Sequence, residues 1–163
     1  KIIGKASLFL FFKKQKLNRM VIDINILRSD RGGDPNVVLT SEKNRFKGTS
    51  SVEKIMEIDQ NWRNLRNKLD TFNRHKNSCS KFTGLKIKNK EDVGISGNLP
   101  EMDLISLTRE KMENLSINQL KDVSKILDTE ISGVKNDLDA VASERDDLLN
   151  EVGNILHPSV VIS

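Results

Sequence analysis

Residues 117–155, INQLKDVSKILDTEISGVKNDLDAVASERDDLLNEVGNI, decide the fold. One stripe recurs through them: Ile117, Leu120, Ser124, Leu127, Ile131, Val134, Leu138, Val141, Arg145, Leu148, Val152 and Ile155. Its steps alternate between three and four without a slip, which lines up a single face of an α-helix in the heptad manner. Only Ser124 and Arg145 are polar, and Val123 and Ile126 are expected to widen the stripe near its start. Ser116-Ile117-Asn118-Gln119 opens the segment as a capping box, in which the Ser and Gln side chains satisfy each other's orphan backbone donors. Pro158 forbids continuation.

A matching stripe lies upstream. Ile55, Ile58, Trp62, Leu65, Leu69, Phe72, Lys76 and Cys79 follow the same alternation, with Lys76 as the one polar member. Ser51 is the expected cap of this helix, which should end near Phe82, where Thr83-Gly84 breaks the pattern. Residues 84–101 are polar and carry Gly94, Gly97 and Pro100, the composition of a loop. A short helix is expected from Thr108 to about Glu113. Two stripes joined by one loop bury each other most cheaply inside one chain, because neither helix is stable alone and the loop closes at modest entropic cost. The expected fold is all-α: a long antiparallel two-helix coiled-coil hairpin over residues 51–157 with a small N-terminal helical prelude over 20–50. The stripes leave the register between the helices open.

The prelude has its own signals. Val21, Ile22, Ile24, Ile26 and Leu27 form a small apolar cluster. Arg31-Gly32-Gly33-Asp34-Pro35 reads as a turn leading into a helix, with Asp34 as N-cap and Pro35 in the first turn. That helix should run to about Phe46 and stop at Lys47-Gly48.

Composition fits this picture. Of 163 residues, 36% are hydrophobic, 4% aromatic and 31% charged, a thin supply for a wide globular core. One Cys excludes an internal disulfide framework and suits a reducing compartment, and His75 and His157 with one Cys cannot assemble a zinc set. The only greasy run, Ala6 to Phe12, is too short to span a bilayer. Residues 1–19 contain six bases and no acid, and look foreign to the rest of the chain. A targeting leader and read-through of AT-rich sequence ahead of Met20 both account for them; the second is the expectation here, with no part in the fold.

The net charge of +4 hides a strong asymmetry. Residues 51–90 carry +6, residues 91–163 carry −9. Lys81, Lys86, Lys88 and Lys90 gather where the first helical pattern ends. A basic strip of this kind attracts phosphate; on charge alone, a solvated helix face is the plainer account. Trp62 and Cys79 sit on the stripe and are expected in the core. No acid/base or nucleophilic set assembles, and no phosphate-cradling glycine loop is followed by Lys-Ser/Thr. No catalytic, cofactor-binding or metal-binding residue is expected in this chain, which on its own is expected to be non-catalytic.

From Met20 to Ser163, these segments together resemble the N-terminal region of eukaryotic cytosolic seryl-tRNA synthetases. The resemblance is carried by Met20-Val-Ile-Asp-Ile-Asn-Ile-Leu-Arg28, Arg31-Gly-Gly-Asp-Pro35, Lys43-Asn-Arg-Phe46, Asp59-Gln-Asn-Trp-Arg63, Asn73-Arg-His-Lys-Asn77 with Cys79-Ser-Lys81, and Leu115-Ser-Ile-Asn-Gln-Leu-Lys121. Gly153-Asn-Ile-Leu-His-Pro-Ser159 is the most specific block, similar to the family's exit from the arm. The family usually continues Val-Pro-Ile-Ser; here Val160-Val161-Ile162-Ser163 stands. The resemblance implies a cytoplasmic serine–tRNA ligase, a class II enzyme that uses ATP and Mg in a catalytic domain whose motifs are absent from this sequence. It further implies a homodimer, with residues 51–157 as an arm that holds the long variable arm of tRNA(Ser), and residues 158–163 as the start of the linker. The expected RNA contacts are Arg63, Arg66, Lys68, Arg74, Lys81, Lys86, Lys88 and Lys90, with Lys76 snorkelling outward. A non-catalytic coiled-coil module that binds another protein is the alternative reading; membrane attachment through residues 1–12 is a distant third.

Overall fold

The computed structural model describes residues 22–95, 97, 99–100 and 102–162. The extension over 1–19, and Val21 of the apolar cluster, lie outside the described residues. Two 3-10 turns, Ile24–Leu27 and Ser29–Arg31, precede four helices: α1 (Pro35–Asn44), α2 (Ser50–Lys88), α3 (Arg109–Glu113) and α4 (Ile117–Glu151). Among the described residues there is no strand. The chain divides into two compact units, Lys1–Met56 with Asp146–Ser163, and Glu57–Arg145.

The unit Glu57–Arg145 is an antiparallel helical hairpin. Leu69, Phe72, Cys79 and Phe82 of α2 interlock with Leu120, Val123, Leu127, Ile131, Val134 and Leu138 of α4. Trp62 and Leu65 join them half-buried. Each buried Leu, Ile or Phe contributes about 1.5–3 kcal/mol. Leu107, Met112 and Leu115, from the connection between the helices, belong to the same core. Thr108 caps α3, its hydroxyl accepting from the Lys111 amide. The capping box forms as expected: Ser116 N donates to Gln119 Oε1 (2.9 Å), and Gln119 N to Ser116 Oγ (3.3 Å). Ile126 does not widen the stripe; it is 42% exposed, because it faces away from α2 while Val123 turns inward.

Helix α2 passes the expected break at Thr83-Gly84 and continues to Lys88. One glycine costs a helix only about 1 kcal/mol, and the stop is built further on. Lys90 takes a left-handed conformation (φ 55°), Glu91 N donates to Lys86 O (3.0 Å) and Lys90 N to Ile87 O (3.1 Å). That is a Schellman ending with lysine in the usual glycine place. At its other end α2 opens at Ser50, not after a Ser51 cap; Thr49 Oγ1 donates to Glu53 Oε1 (3.0 Å).

The other unit gathers Ile22, Leu27, Val38, Val52, Ile55, Leu149 and Val152 into a second core. Asp23 caps the first 3-10 turn through the Asn25 amide (2.9 Å), and Asp34 caps α1 through the Asn36 amide (2.9 Å). Gly33 lies against the carbonyls of Asn25 and Ile26, where any Cβ would collide with backbone. Helix α1 ends at Asn44, two residues earlier than Phe46, again in a Schellman motif. Phe46 is left-handed (φ 58°), Phe46 N donates to Lys43 O (2.9 Å), and Lys47 N to Glu42 O (3.0 Å).

Helix α4 stops at Glu151, short of Ile155. Buried side chains on α1 take over the backbone groups that a longer helix would have used. Gly153 N donates to Glu42 Oε1 (3.1 Å), and Leu156 N donates to Ser41 Oγ (3.0 Å). Arg45 Nη2 donates to Asn154 O. A side chain at 153 would displace the Arg45 guanidinium from its place against this exit.

Candidate nucleic-acid interface

The basic residues of α2 fall on distinct faces of one helix. With Leu69 and Lys76 on the stripe, Arg74, Lys81 and Lys88 take the position farthest from it, repeating every seven residues. Successive members of this line are about 10 Å apart along the axis. All three are exposed. Arg74 donates to Thr71 Oγ1 (3.1 Å), which steadies the guanidinium without neutralising it. Lys81 and Lys88 have no ion pair among the described residues. Lys90 stands exposed immediately beyond the helix.

The remaining candidates are held by neighbours. Arg66 Nε lies 3.6 Å from Asp70 Oδ1 at the surface. Lys68 Nζ sits 5.4 Å from the centre of the Phe72 ring. Arg63 Nε lies 3.5 Å from the buried Asp59 carboxylate, and its Nη2 donates to Gln60 Oε1 (2.7 Å). Lys86 is largely covered and bonds Glu91 Oε2 at 2.7 Å, and this bond holds the Glu91 carboxyl below its usual range. The structure thus brings Arg74, Lys81, Lys88 and Lys90 together as open cations, and turns Arg63 and Lys86 toward acids of the same chain.

Two polar residues of the stripes have partners that sequence reasoning missed. Arg145 Nη1 meets Asp59 Oδ1 at 3.2 Å with both side chains nearly buried, and its guanidinium lies 5.2 Å from the centre of the Trp62 ring. Lys76 turns to Asp128 across the hairpin. The available signal was the stripe itself, since an arginine at a core position demands a counter-charge on the facing helix. Cys79 is fully buried and burial pushes its thiol pKa up, which suits packing and not nucleophilic attack. His75 is half-buried, and its Nε2 is covered without a hydrogen-bond partner among the described residues. No group of three or more His, Cys, Asp or Glu among the described residues is arranged to hold a metal ion. None of the described helices is long and apolar enough to cross a membrane.

Comparison with known proteins decides which helical hairpin this is. The family described as seryl-tRNA synthetase N-terminal domain matches residues 21–106. The chain belongs to that family. Over 146 residues it is 40% identical to the cytoplasmic serine–tRNA ligase of Danio rerio and 38% identical to that of Homo sapiens, covering 88% of this chain and 28% of each relative. The crystal structure of the cytoplasmic serine–tRNA ligase of Naegleria fowleri in complex with AMP matches with a TM-score of 0.76 and 33% identity, over 88% of this chain and 32% of that one. The chain therefore spans little more than a quarter of the curated relatives' length. As a seryl-tRNA synthetase N-terminal domain, it lines up with the part of those ligases that this family describes.

Proposed function

We propose that this chain is the tRNA-binding arm of a cytoplasmic serine–tRNA ligase. Its role is to hold the long variable arm of tRNA(Ser) for aminoacylation by a catalytic domain that uses ATP and Mg and acts as a homodimer. The division of labour is a prelude over 20–50, an arm over 51–157 and a linker from 158. The observation that carries this reading is the line Arg74, Lys81 and Lys88 on the outward face of α2, with Lys90 exposed just beyond its end. Cations at fixed intervals on a rigid helix suit the phosphates of an RNA stem, which is recognised by shape and sugar–phosphate contacts. Arg66 and Lys68 flank the line and supply further charge; Arg63 and Lys86 act mainly on their own acidic neighbours.

The alternative, a coiled coil that zips onto another protein, needs an open stripe. Leu127, Ile131, Val134 and Leu138 are already buried within the chain, which favours the RNA reading. The test is binding of tRNA(Ser) with and without its long variable arm. The intact tRNA should bind more tightly, and its affinity should fall steeply with added salt as counterion release weakens. Equal affinity for both RNAs would sink the proposal.

A further inference from the structure

Two ion pairs that cross the hairpin share one register. Residue numbers of level partners in an antiparallel hairpin add to a constant, and Asp59–Arg145 and Lys76–Asp128 give the same total. So do Ser80 with Ser124, Thr83 with Lys121, and Gly84 with Leu120, which line a single cleft between α2 and α4. The apolar stripes alone do not select this register, because a heptad pattern superimposes on itself after a slide of seven residues. The charges do select it. A slide one way sets Lys76 against Lys135 and Arg145 against Arg66. A slide the other way sets Lys76 against Lys121 and moves the Asp59 carboxylate beside Leu138, away from Arg145. Both slid states carry a like-charge clash at Lys76.

We propose that Asp59–Arg145 and Lys76–Asp128 are register locks, with Lys121 and Lys135 placed to repel Lys76 from either slid register. The four paired residues are then positioning residues for the basic line on α2. They fix which part of α4 backs each cation, whatever that line binds.

The proposal makes an unusual demand of Lys76→Asp. This variant repels Asp128 in the native register and gains Lys121 or Lys135 in a slid one. The test uses the full chain with Cys79→Ala and spin-label pairs at Asn67 with Glu130 and at Asn67 with Ser143. These pairs straddle Asp137, the residue level with Asn67. Combining Lys76→Asp with Asp59→Leu and Arg145→Leu should leave the chain helical by circular dichroism. The two label distances should then move in opposite senses by up to about 10 Å, one heptad of rise. Adding Asp128→Lys should restore both native distances, a rescue that a general loss of packing does not predict. Lys76→Asp alone, at a half-exposed position that leaves the core intact, should show the same displacement in a smaller population. Unmoved distances in the helical variants, or failure of Asp128→Lys to restore them, overturn the proposal. Because distances are read without RNA, its failure is separate from failure of the tRNA reading.

Discussion

Arg145 illustrates how much one residue decides in this chain. It sits on the stripe of α4, where an aliphatic residue would pack, and it is kept there by Asp59 Oδ1 at 3.2 Å and the Trp62 ring. Removing one member of a buried pair leaves an uncompensated charge, whereas removing both restores an ordinary apolar layer. Arg145→Met leaves Asp59 with Arg63 alone and is expected to cost up to about 3 kcal/mol in urea unfolding. Asp59→Leu with Arg145→Leu should be far milder than the single change. Leu138→Asp makes the opposite error, placing an unpaired charge in the hairpin core, and should lower stability by several kcal/mol; unchanged thermal unfolding would show that this position is not in the core. Cys79 supplies an internal reporter of the same core. Buried, with its thiol pKa raised, it should resist a thiol reagent at neutral pH until the hairpin opens. Reaction at the rate of a free thiol in folded protein would contradict the packing at that layer.

At the scale of elements, local signals and long-range ones behaved differently. The Asp34 cap, the Thr108 cap and the Ser116–Gln119 box were legible because each needs only neighbours along the chain. Helix ends were less legible. Helix α2 outlasts Gly84 because its stop depends on Lys90 adopting a left-handed turn, a residue type that gives no such warning. Helix α4 stops early because Ser41 and Glu42, far away in sequence, capture its exit. Both Schellman endings place a side chain where glycine is at ease, at a cost of about 1 kcal/mol. Phe46 is 80% exposed, so Phe46→Gly gives up little packing and should raise stability by about that amount, read as a higher urea midpoint with an unchanged m-value. The ending of α2 also has a pH signature. The Lys86 bond depresses the Glu91 pKa, so the folded form binds its proton less readily than the unfolded chain does. The stabilisation is present at neutral pH and disappears as pH falls through the carboxylate range. Amide protection factors in the last turn of α2, corrected for the intrinsic pH dependence of exchange, should drop there, and should lose that step in Glu91→Gln.

For the molecule as a whole, fold class followed from two stripes and one loop, but the interface did not follow from composition. Nine cations in residues 63–90 looked alike in sequence; the structure separates them by whether an acid stands beside them. Arg63 meets Asp59 and Lys86 meets Glu91, pairings that depend on rotamers and a turn which no spacing rule contains. The seven-residue recurrence of Arg74, Lys81 and Lys88, by contrast, was present in the sequence, and became a single face once the stripe fixed the helix orientation. This sorting yields the decisive prediction for the tRNA reading. Arg74→Glu, Lys81→Glu and Lys88→Glu together should leave helix content and thermal unfolding nearly unchanged, since all three side chains are exposed. They should weaken tRNA binding at least tenfold at moderate salt. The slope of log affinity against log salt should become shallower by about one for each phosphate that is no longer neutralised. Arg63→Gln with Lys86→Gln should reduce that slope less, because those cations are already engaged within the chain. If the two variants changed the slope equally, cation accessibility would not be what selects the RNA contacts, and the line on α2 would lose its claim to be the interface.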